Sequence, residues 1–108
     1  PDLSALPDSV TVAQTAPLLG NPEVVLLDVR EPSEYAEGHI PGVVLIPSGQ
    51  VAARLAEIPK DKPVIVTCRS GNRSAAVTRL LREQGFTNVH NMEGGIVAWQ
   101  SAGYPVEK

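Results

Sequence analysis

Short runs of apolar and β-branched residues recur along the whole chain and predict its strands. Most of these runs are continuous rather than alternating, which indicates strands buried on both faces, as in a mainly parallel sheet covered by helices. The predicted strands are residues 24–29, 43–46, 64–68 and 89–91, with a shorter candidate at 10–12.

The stretches between these strands carry helical patterns. In residues 72–84 the apolar side chains at positions 76, 77, 80 and 81 form one stripe, and Gly85 follows as a C-terminal stop. Weaker patterns, bounded by Gly or Pro, cover residues 13–19, 33–37, 50–58 and 95–102. Because strand and helix alternate, we expect an α/β fold: an open, mainly parallel five-stranded sheet with helices on both faces.

Length and composition fit one compact domain over residues 1–108, because 43% of the residues are hydrophobic and no repeat or long linker divides the chain. The nine basic and twelve acidic side chains give a net charge of -3, which offers no general attraction for nucleic acid or an anionic membrane. No apolar run approaches the roughly 18 residues of a membrane span, and the start lacks the features of a signal peptide. We therefore expect a cytoplasmic monomer, although the start at Pro1 leaves open a removed methionine, a cleaved leader or excision from a longer protein.

The single cysteine, Cys68, ends the predicted strand 64–68, just before the helix that begins near Asn72. Ligands of open parallel sheets bind at this carboxyl edge. There the thiol would face backbone N–H groups and the positive end of the helix dipole, a setting that lowers a cysteine pKa from about 8.5 to roughly 3.5–7.5. We expect an accessible thiolate nucleophile, although a lone cysteine at a strand end can also be an inert core thiol.

The charges around Cys68 favour the reactive alternative. Helix starts usually attract acidic residues, but this one carries Arg69 and Arg73, with no acid before Glu83. The two arginines are consistent with an anion in the loop, although each could be a solvated surface charge. Gly71 would supply the positive φ that lets successive amides curl around that anion, or it could be an ordinary turn residue.

Three motifs together resemble the rhodanese-like sulfurtransferases. The loop CRSGNRS, residues 68–74, resembles the active-site loop of that family. The stretch LLDVREPSEYAEGHIPGVVLIP, residues 26–47, resembles the family's N-terminal signature, and GGIVAWQSAGYPV, residues 94–106, is similar to the C-terminal one. The motifs lie in the family's order and cover nearly the whole chain.

The resemblance implies a ping-pong sulfur transfer without a cofactor. The cysteine would take the outer sulfur of a donor such as thiosulfate as a persulfide, and then pass it to cyanide or to a thiol, including a protein thiol. By resemblance Cys68 is the nucleophile and Arg69 is placed to meet an anionic donor. A sulfur-relay or regulatory module that binds a partner protein and turns over small donors poorly is the alternative. The residues that the resemblance assigns to the anion-binding loop are Arg69, Ser70, Gly71, Asn72 and Arg73.

Related phosphatases and arsenate reductases also resemble this family, but the loop length disfavours them. Their loops carry five residues between the cysteine and an arginine, whereas four separate Cys68 from Arg73, and the next position is Ser74. The residue before the cysteine is Thr67, where those relatives usually have histidine. A loop of this length would have one backbone amide too few to surround a phosphate, which disfavours a phosphatase.

Asp28 and Arg30 lie at the end of the predicted strand 24–29, near the point where Cys68 must emerge. We expect both to support the loop, with Asp28 pairing with Arg73 or with loop amides. A simple surface ion pair, which would contribute little to stability, is the alternative.

The remaining candidate residues have structural interpretations. His39 and His90 fit no metal-binding pattern, and one cysteine leaves too few ligands for structural zinc. A Cys–His hydrolase is formally open, but turn and core roles for both histidines are favoured. Trp99 is expected in the core and Tyr35 as a partly exposed packing residue.

Overall fold

A computed structural model describes residue 3 and residues 6–108. Within that part of the chain, five strands form one wholly parallel sheet in the order β1-β5-β4-β2-β3. The predicted α/β class is confirmed, and the sheet is parallel throughout rather than mainly. The strands are β1 Ser9–Val10, β2 Val25–Asp28, β3 Val44–Leu45, β4 Val64–Thr67 and β5 Val89–Met92.

Among the described residues, four α-helices lie between or after the strands, and the longest, α3, agrees with the predicted helix to one residue. The first predicted helix, 13–19, is cut short because Pro17 has no N–H for a helical hydrogen bond, and it continues only as a 3-10 segment, Ala16–Leu18. The helices are α1 Val12–Thr15, α2 Pro32–Glu37, α3 Asn72–Glu83 and α4 Gly95–Ser101.

The helix predicted at 50–58 is wrong, because that segment forms two 3-10 turns, Ser48–Ala53 and Leu55–Glu57. Short helices depend on packing an apolar face, and only Val51 of these two turns is buried. The backbone therefore adopts tighter hydrogen bonds, such as that from Arg54 N–H to the Val51 carbonyl at 3.0 Å.

Each face of the sheet has its own hydrophobic core, and the alternation along each strand decides which core a side chain joins. On β4, Val64 and Val66 enter the core beneath α3, as does Cys68, while Ile65 enters the core that contains Trp99 of α4. This alternation places the cysteine side chain on the α3 face.

The same rule separates the polar residues near Cys68. Asp28 lies opposite Thr67 on β4. Because Leu26, two residues earlier on the same strand, points into the core on the α4 side of the sheet, Asp28 points to that side as well. Asn91 lies opposite Val66 and therefore shares the α3 face with the cysteine. In the described part of the chain, no helix has the length and apolar content needed to cross a membrane.

Candidate active site

The loop between β4 and α3 is shaped by Gly71. Its backbone is left-handed, with φ 103°, and it immediately precedes the first residue of α3. A Cβ atom there would lie 3.3 Å from the backbone nitrogen of Gly94, which is a tight contact. The positive φ predicted for Gly71 is therefore confirmed, and both the conformation and the space favour glycine.

The sulfur of Cys68 is surrounded by hydrogen-bonding groups from this loop and from the first turn of α3. The Gly71 N–H donates to Sγ at 3.1 Å, and the Ser74 Oγ lies 3.3 Å from Sγ. Burial raises the pKa of Cys68, whereas hydrogen bonds from Ser74 and from loop N–H groups lower it, and the net pKa lies below its ordinary value. The geometry therefore favours the thiolate, in the direction expected from the sequence.

Accessibility differs from the sequence-based expectation. Cys68 is only 1% exposed and lies in the core beneath α3, so the prediction of an accessible thiol is wrong for this structure. The burial follows from the alternation that also buries Val66. The sulfur still contacts the Gly71 N–H and the Ser74 hydroxyl rather than hydrocarbon alone, and Arg69 and Ser70 beside it are exposed.

Arg73 is held by a residue that the sequence analysis missed. Its guanidinium donates to both carboxylate oxygens of Glu34 on α2, at 2.7 and 2.9 Å. The hydrogen bond from Arg73 is the main reason that the pKa of Glu34 falls to about 2. The expectation that Arg73 pairs with Asp28 is therefore wrong. The hydrogen bond with Glu34 is the main reason that the pKa of Arg73 is raised, and the charge of Cys68 also raises it, so the expected interaction of Arg73 with an anion in the loop stays a prediction.

Asp28 pairs with Arg30 in a buried interaction, and neither arrangement considered from the sequence is correct. Arg30 Nη2 donates to Asp28 Oδ2 at 2.8 Å, and the two side chains are 6% and 2% exposed. Arg30 also donates to the carbonyl oxygens of Glu34 and Gly38. Because Asp28 lies on the sheet face opposite to Cys68, its carboxylate fixes the segment that leads into α2 rather than the cysteine loop.

A pocket of about 210 Å³ lies beside the loop, between α2 and α4. Arg69 lines this pocket and, within the part of the chain that the structure describes, forms no ion pair. Arg30, Glu34 and Glu37 also line it; the charges of Arg30 and Glu34 are already paired with Asp28 and Arg73, whereas Glu37 is an exposed carboxylate. Arg69 is therefore the cation available to an anionic ligand here.

Helix α4 packs its first turn directly on the cysteine loop. The Ile96 N–H donates to the Cys68 carbonyl at 2.9 Å, and the Val97 N–H donates to the Arg69 carbonyl at 3.1 Å. A Cβ atom on Gly95 would collide with the Arg69 carbonyl, so only glycine permits this approach. The sequence showed this glycine only as part of the C-terminal signature.

Asn91 and Ser74 form a polar contact that the sequence analysis also missed. Ser74 Oγ donates to Asn91 Oδ1 at 2.5 Å, and the Asn91 amide N–H donates to the Gly71 carbonyl at 3.4 Å. The pairing of β5 with β4, which creates this contact, left no signal in the sequence.

The first residue of α3, Asn72, is exposed.

The two histidines make hydrogen bonds away from Cys68. His39 Nδ1 contacts the Tyr35 carbonyl at 3.0 Å, and its ring stacks on Tyr35. His90 contacts the Pro7 carbonyl and the Asn88 amide. Neither arrangement supplies a Cys–His pair, and the roles preferred from the sequence agree with these contacts.

The aromatic expectations are confirmed: Trp99 is fully buried and Tyr35 is partly exposed. Among the described residues, no group of three or more His, Cys, Asp or Glu side chains could hold a metal ion.

Comparison with known proteins gives consistent similarities. The model of the rhodanese-like domain family matches residues 11–102. The chain is 40% identical over 99 residues to a sulfurtransferase of Allochromatium vinosum, covering 92% of this chain and 91% of that protein. It is 39% identical over 93 residues to the thiosulfate sulfurtransferase GlpE of Pseudoalteromonas translucida, covering 86% and 89%. The crystal structure of a rhodanese-related protein from Thermoplasma volcanium superimposes with a TM-score of 0.86 at 35% identity, covering 94% and 98%.

Proposed function

This chain belongs to the rhodanese-like domain family, and from that premise we propose that it transfers a sulfane sulfur through a persulfide on Cys68. The donor is a small molecule such as thiosulfate, and the acceptor is cyanide or a thiol, including a protein thiol. The observation that carries the proposal is the hydrogen bond from the Gly71 N–H to Cys68 Sγ, at 3.1 Å, in a loop that leads into α3. A sulfur anion held in this way is a ready nucleophile at neutral pH.

The transfer consists of two displacements. In the first, the Cys68 thiolate attacks the outer sulfur of thiosulfate, a sulfur–sulfur bond forms, and sulfite leaves with the electron pair of the bond that breaks. In the second, cyanide or a thiolate attacks the outer sulfur of the persulfide, and the Cys68 thiolate leaves. Loop N–H groups stabilise the anionic sulfur at each stage without a general base.

Arg69 and the pocket beside the loop support the first displacement. Thiosulfate is doubly charged, and Arg69 is the pocket cation with no ion pair in the described chain. Because Cys68 is 1% exposed, loading requires a local displacement of the exposed residues Arg69 and Ser70. Small donors should therefore load faster than bulky ones.

Intact-mass analysis after incubation with thiosulfate tests the proposal. We expect the native protein to gain the mass of one sulfur atom and to lose it, with formation of thiocyanate, when cyanide is added. Cys68→Ser should abolish both changes and should retain the fold, because the two side chains are similar in size. A wild-type protein whose mass stays unchanged with several small donors would contradict the proposal.

The relay or regulatory alternative gives a different result in the same experiment. That module would load poorly from small donors, but would accept sulfur from a persulfidated protein or bind a partner protein without being loaded. Rapid loading from thiosulfate followed by repeated thiocyanate formation favours the enzyme.

A further inference from the structure

Ser74 stands between two groups that compete for its hydroxyl proton. Its Oγ lies 3.3 Å from Cys68 Sγ and 2.5 Å from Asn91 Oδ1. A serine hydroxyl has one proton to donate. It can therefore satisfy either the sulfur or the amide oxygen, but not both.

The orientation of the Asn91 amide is set by its second contact. Its Nδ2 faces the Gly71 carbonyl at 3.4 Å, a position where only a donor is favourable. The amide oxygen must then face Ser74, and an amide oxygen only accepts hydrogen bonds. Asn91 cannot turn to supply Ser74 with a replacement proton without placing its oxygen against the Gly71 carbonyl.

The protonation state of the sulfur decides where the hydroxyl proton goes. While Cys68 is a thiol, its S–H donates to Ser74 Oγ, Ser74 donates to Asn91, and each group has a partner. Once Cys68 is a thiolate, both Sγ and Asn91 Oδ1 need the same proton. Ser74 and Cys68 are buried and Asn91 is partly buried, so the loss of the shared proton costs the unpaired acceptor a hydrogen bond.

We propose that Asn91 is a positioning residue that holds the Ser74 hydroxyl proton while the Cys68 sulfur is uncharged and releases it only to the free thiolate. Asn91 therefore makes the thiolate less stable than Ser74 and the loop N–H groups would make it if Asn91 were absent. The residue therefore acts on the sulfur without touching it, from the neighbouring strand β5.

This arrangement affects the two displacements in opposite ways, a consequence that rests on the proposed function. In the persulfide the Cys68 Sγ is uncharged, so Ser74 can return to Asn91. A less stable thiolate is a stronger nucleophile and a poorer leaving group. Asn91 thus favours loading of the sulfur and its retention over its discharge.

The charged groups around the loop are not part of this contact. Arg73 of α3 is tied to Glu34 of α2, and Arg69 lies in the pocket beside α4. On β2, Asp28 and Arg30 form their own buried pair. The preceding residue on β5, His90, makes its described contacts with Pro7 and Asn88. The Asn91 side chain can therefore be changed without removing a charge or an ion pair.

Titration of the thiolate by its ultraviolet absorbance tests the proposal, because Cys68 is the single cysteine and Cys68→Ser provides the blank. Asn91→Leu should move the midpoint about one pH unit towards acid, the size expected when ionisation of Cys68 no longer breaks the hydrogen bond from Ser74 to Asn91. The same substitution in a Ser74→Ala background should move it much less, because the effect passes through Ser74. Asn88→Leu changes an amide that contacts His90 instead and should leave the midpoint unchanged.

Three results would overturn the proposal: an unchanged midpoint in Asn91→Leu, a shift towards alkali, or a shift of equal size with and without Ser74. If the leucine variant does not fold, Asn91→Asp gives a test of opposite sign, because a carboxylate holds the hydroxyl proton more firmly and should move the midpoint towards alkali. The titration needs no sulfur donor. A protein that titrates as expected but never forms a persulfide would therefore refute the proposed function and leave the role of Asn91 standing.

Discussion

The adjacent strands β2 and β4 end at the same edge of the sheet, yet the polar groups at their ends differ in how completely their hydrogen-bonding capacity is satisfied. At the end of β2, the Asp28 carboxylate accepts a bifurcated hydrogen bond from the Arg30 Nε–H, one from Nη2 and one from the Arg30 backbone N–H. After β4, the Cys68 sulfur accepts the Gly71 N–H at 3.1 Å, and it competes with Asn91 Oδ1 for the Ser74 hydroxyl proton.

The comparison shows how one sheet edge can be both rigid and reactive. A charged group that is fully paired and buried fixes the shape of its segment, but its charge is no longer available to a ligand. A sulfur held by weaker donors keeps its reactivity, and Arg69 beside it keeps its charge for a ligand. The buried Asp28–Arg30 pair stabilises this edge of the sheet, and the loop after β4 carries the reactive sulfur.

The largest effect on stability should come from breaking the buried Asp28–Arg30 pair. Asp28→Asn leaves Arg30 buried with its charge uncompensated, so we expect a loss of about 3 to 5 kcal/mol in the free energy of unfolding, measured by urea denaturation. Asp8→Asn is the matched control, because Asp8 is exposed and meets Arg82 at only 3.5 Å, and it should change stability by less than about 0.5 kcal/mol.

If Asp28→Asn is as stable as the wild type, the carbonyl oxygens of Glu34 and Gly38 suffice to hold Arg30, and the Asp28–Arg30 pair does not stabilise this edge of the sheet. The double substitution Asp28→Leu with Arg30→Met sharpens the point. It removes both charges together and should cost much less than Asp28→Asn alone.

A smaller effect is expected for the pair that joins the two regions. Glu34→Gln should lower the free energy of unfolding by about 1 kcal/mol near neutral pH, because both partners are partly exposed and solvent weakens the pair. The Glu34 pKa is lowered from 4.5 to about 2 on folding, so its contribution is present above pH 4.5 and is lost as the pH falls towards about 2.

Urea denaturation of the wild type and of Glu34→Gln at a series of pH values checks this prediction. The two proteins should differ above pH 4.5 and converge as the pH approaches about 2. Glu37→Gln on the same helix, where the carboxylate is exposed, serves as the control and should show no such convergence. A difference that persists unchanged at low pH would assign the loss to the amide itself.

The smallest effect should come from removing the charge of Arg69, and it should appear in the rate of sulfur loading. Arg69→Ala should slow loading by thiosulfate about twofold to fivefold, the size of one exposed charge interaction, and leave loading from an uncharged persulfide unchanged. Loading rates are read from the mass gained with time. Arg79→Ala, an exposed arginine on α3, should affect neither donor, and equal losses with both donors in Arg69→Ala would refute the role in anion recognition.

The sequence predicted much of the fold because its strong signals are local. Continuous apolar runs located the strands, and the apolar stripe with Gly85 located α3 to within one residue. Prediction failed at residues 50–58, because the choice between an α-helix and 3-10 turns depends on how much of the segment packs on the sheet. Pro17 carried a usable signal for the early end of α1.

The residues themselves determined the class of the fold, the place of Cys68 at a strand end and the left-handed turn at Gly71, because these follow from neighbours in the chain. Only the tertiary structure decided the partners: Glu34 for Arg73, Arg30 for Asp28, and Asn91 for Ser74. Such partners depend on strand order, register and the face to which each side chain points. A pattern read along one chain specifies none of these for residues as far apart as Ser74 and Asn91.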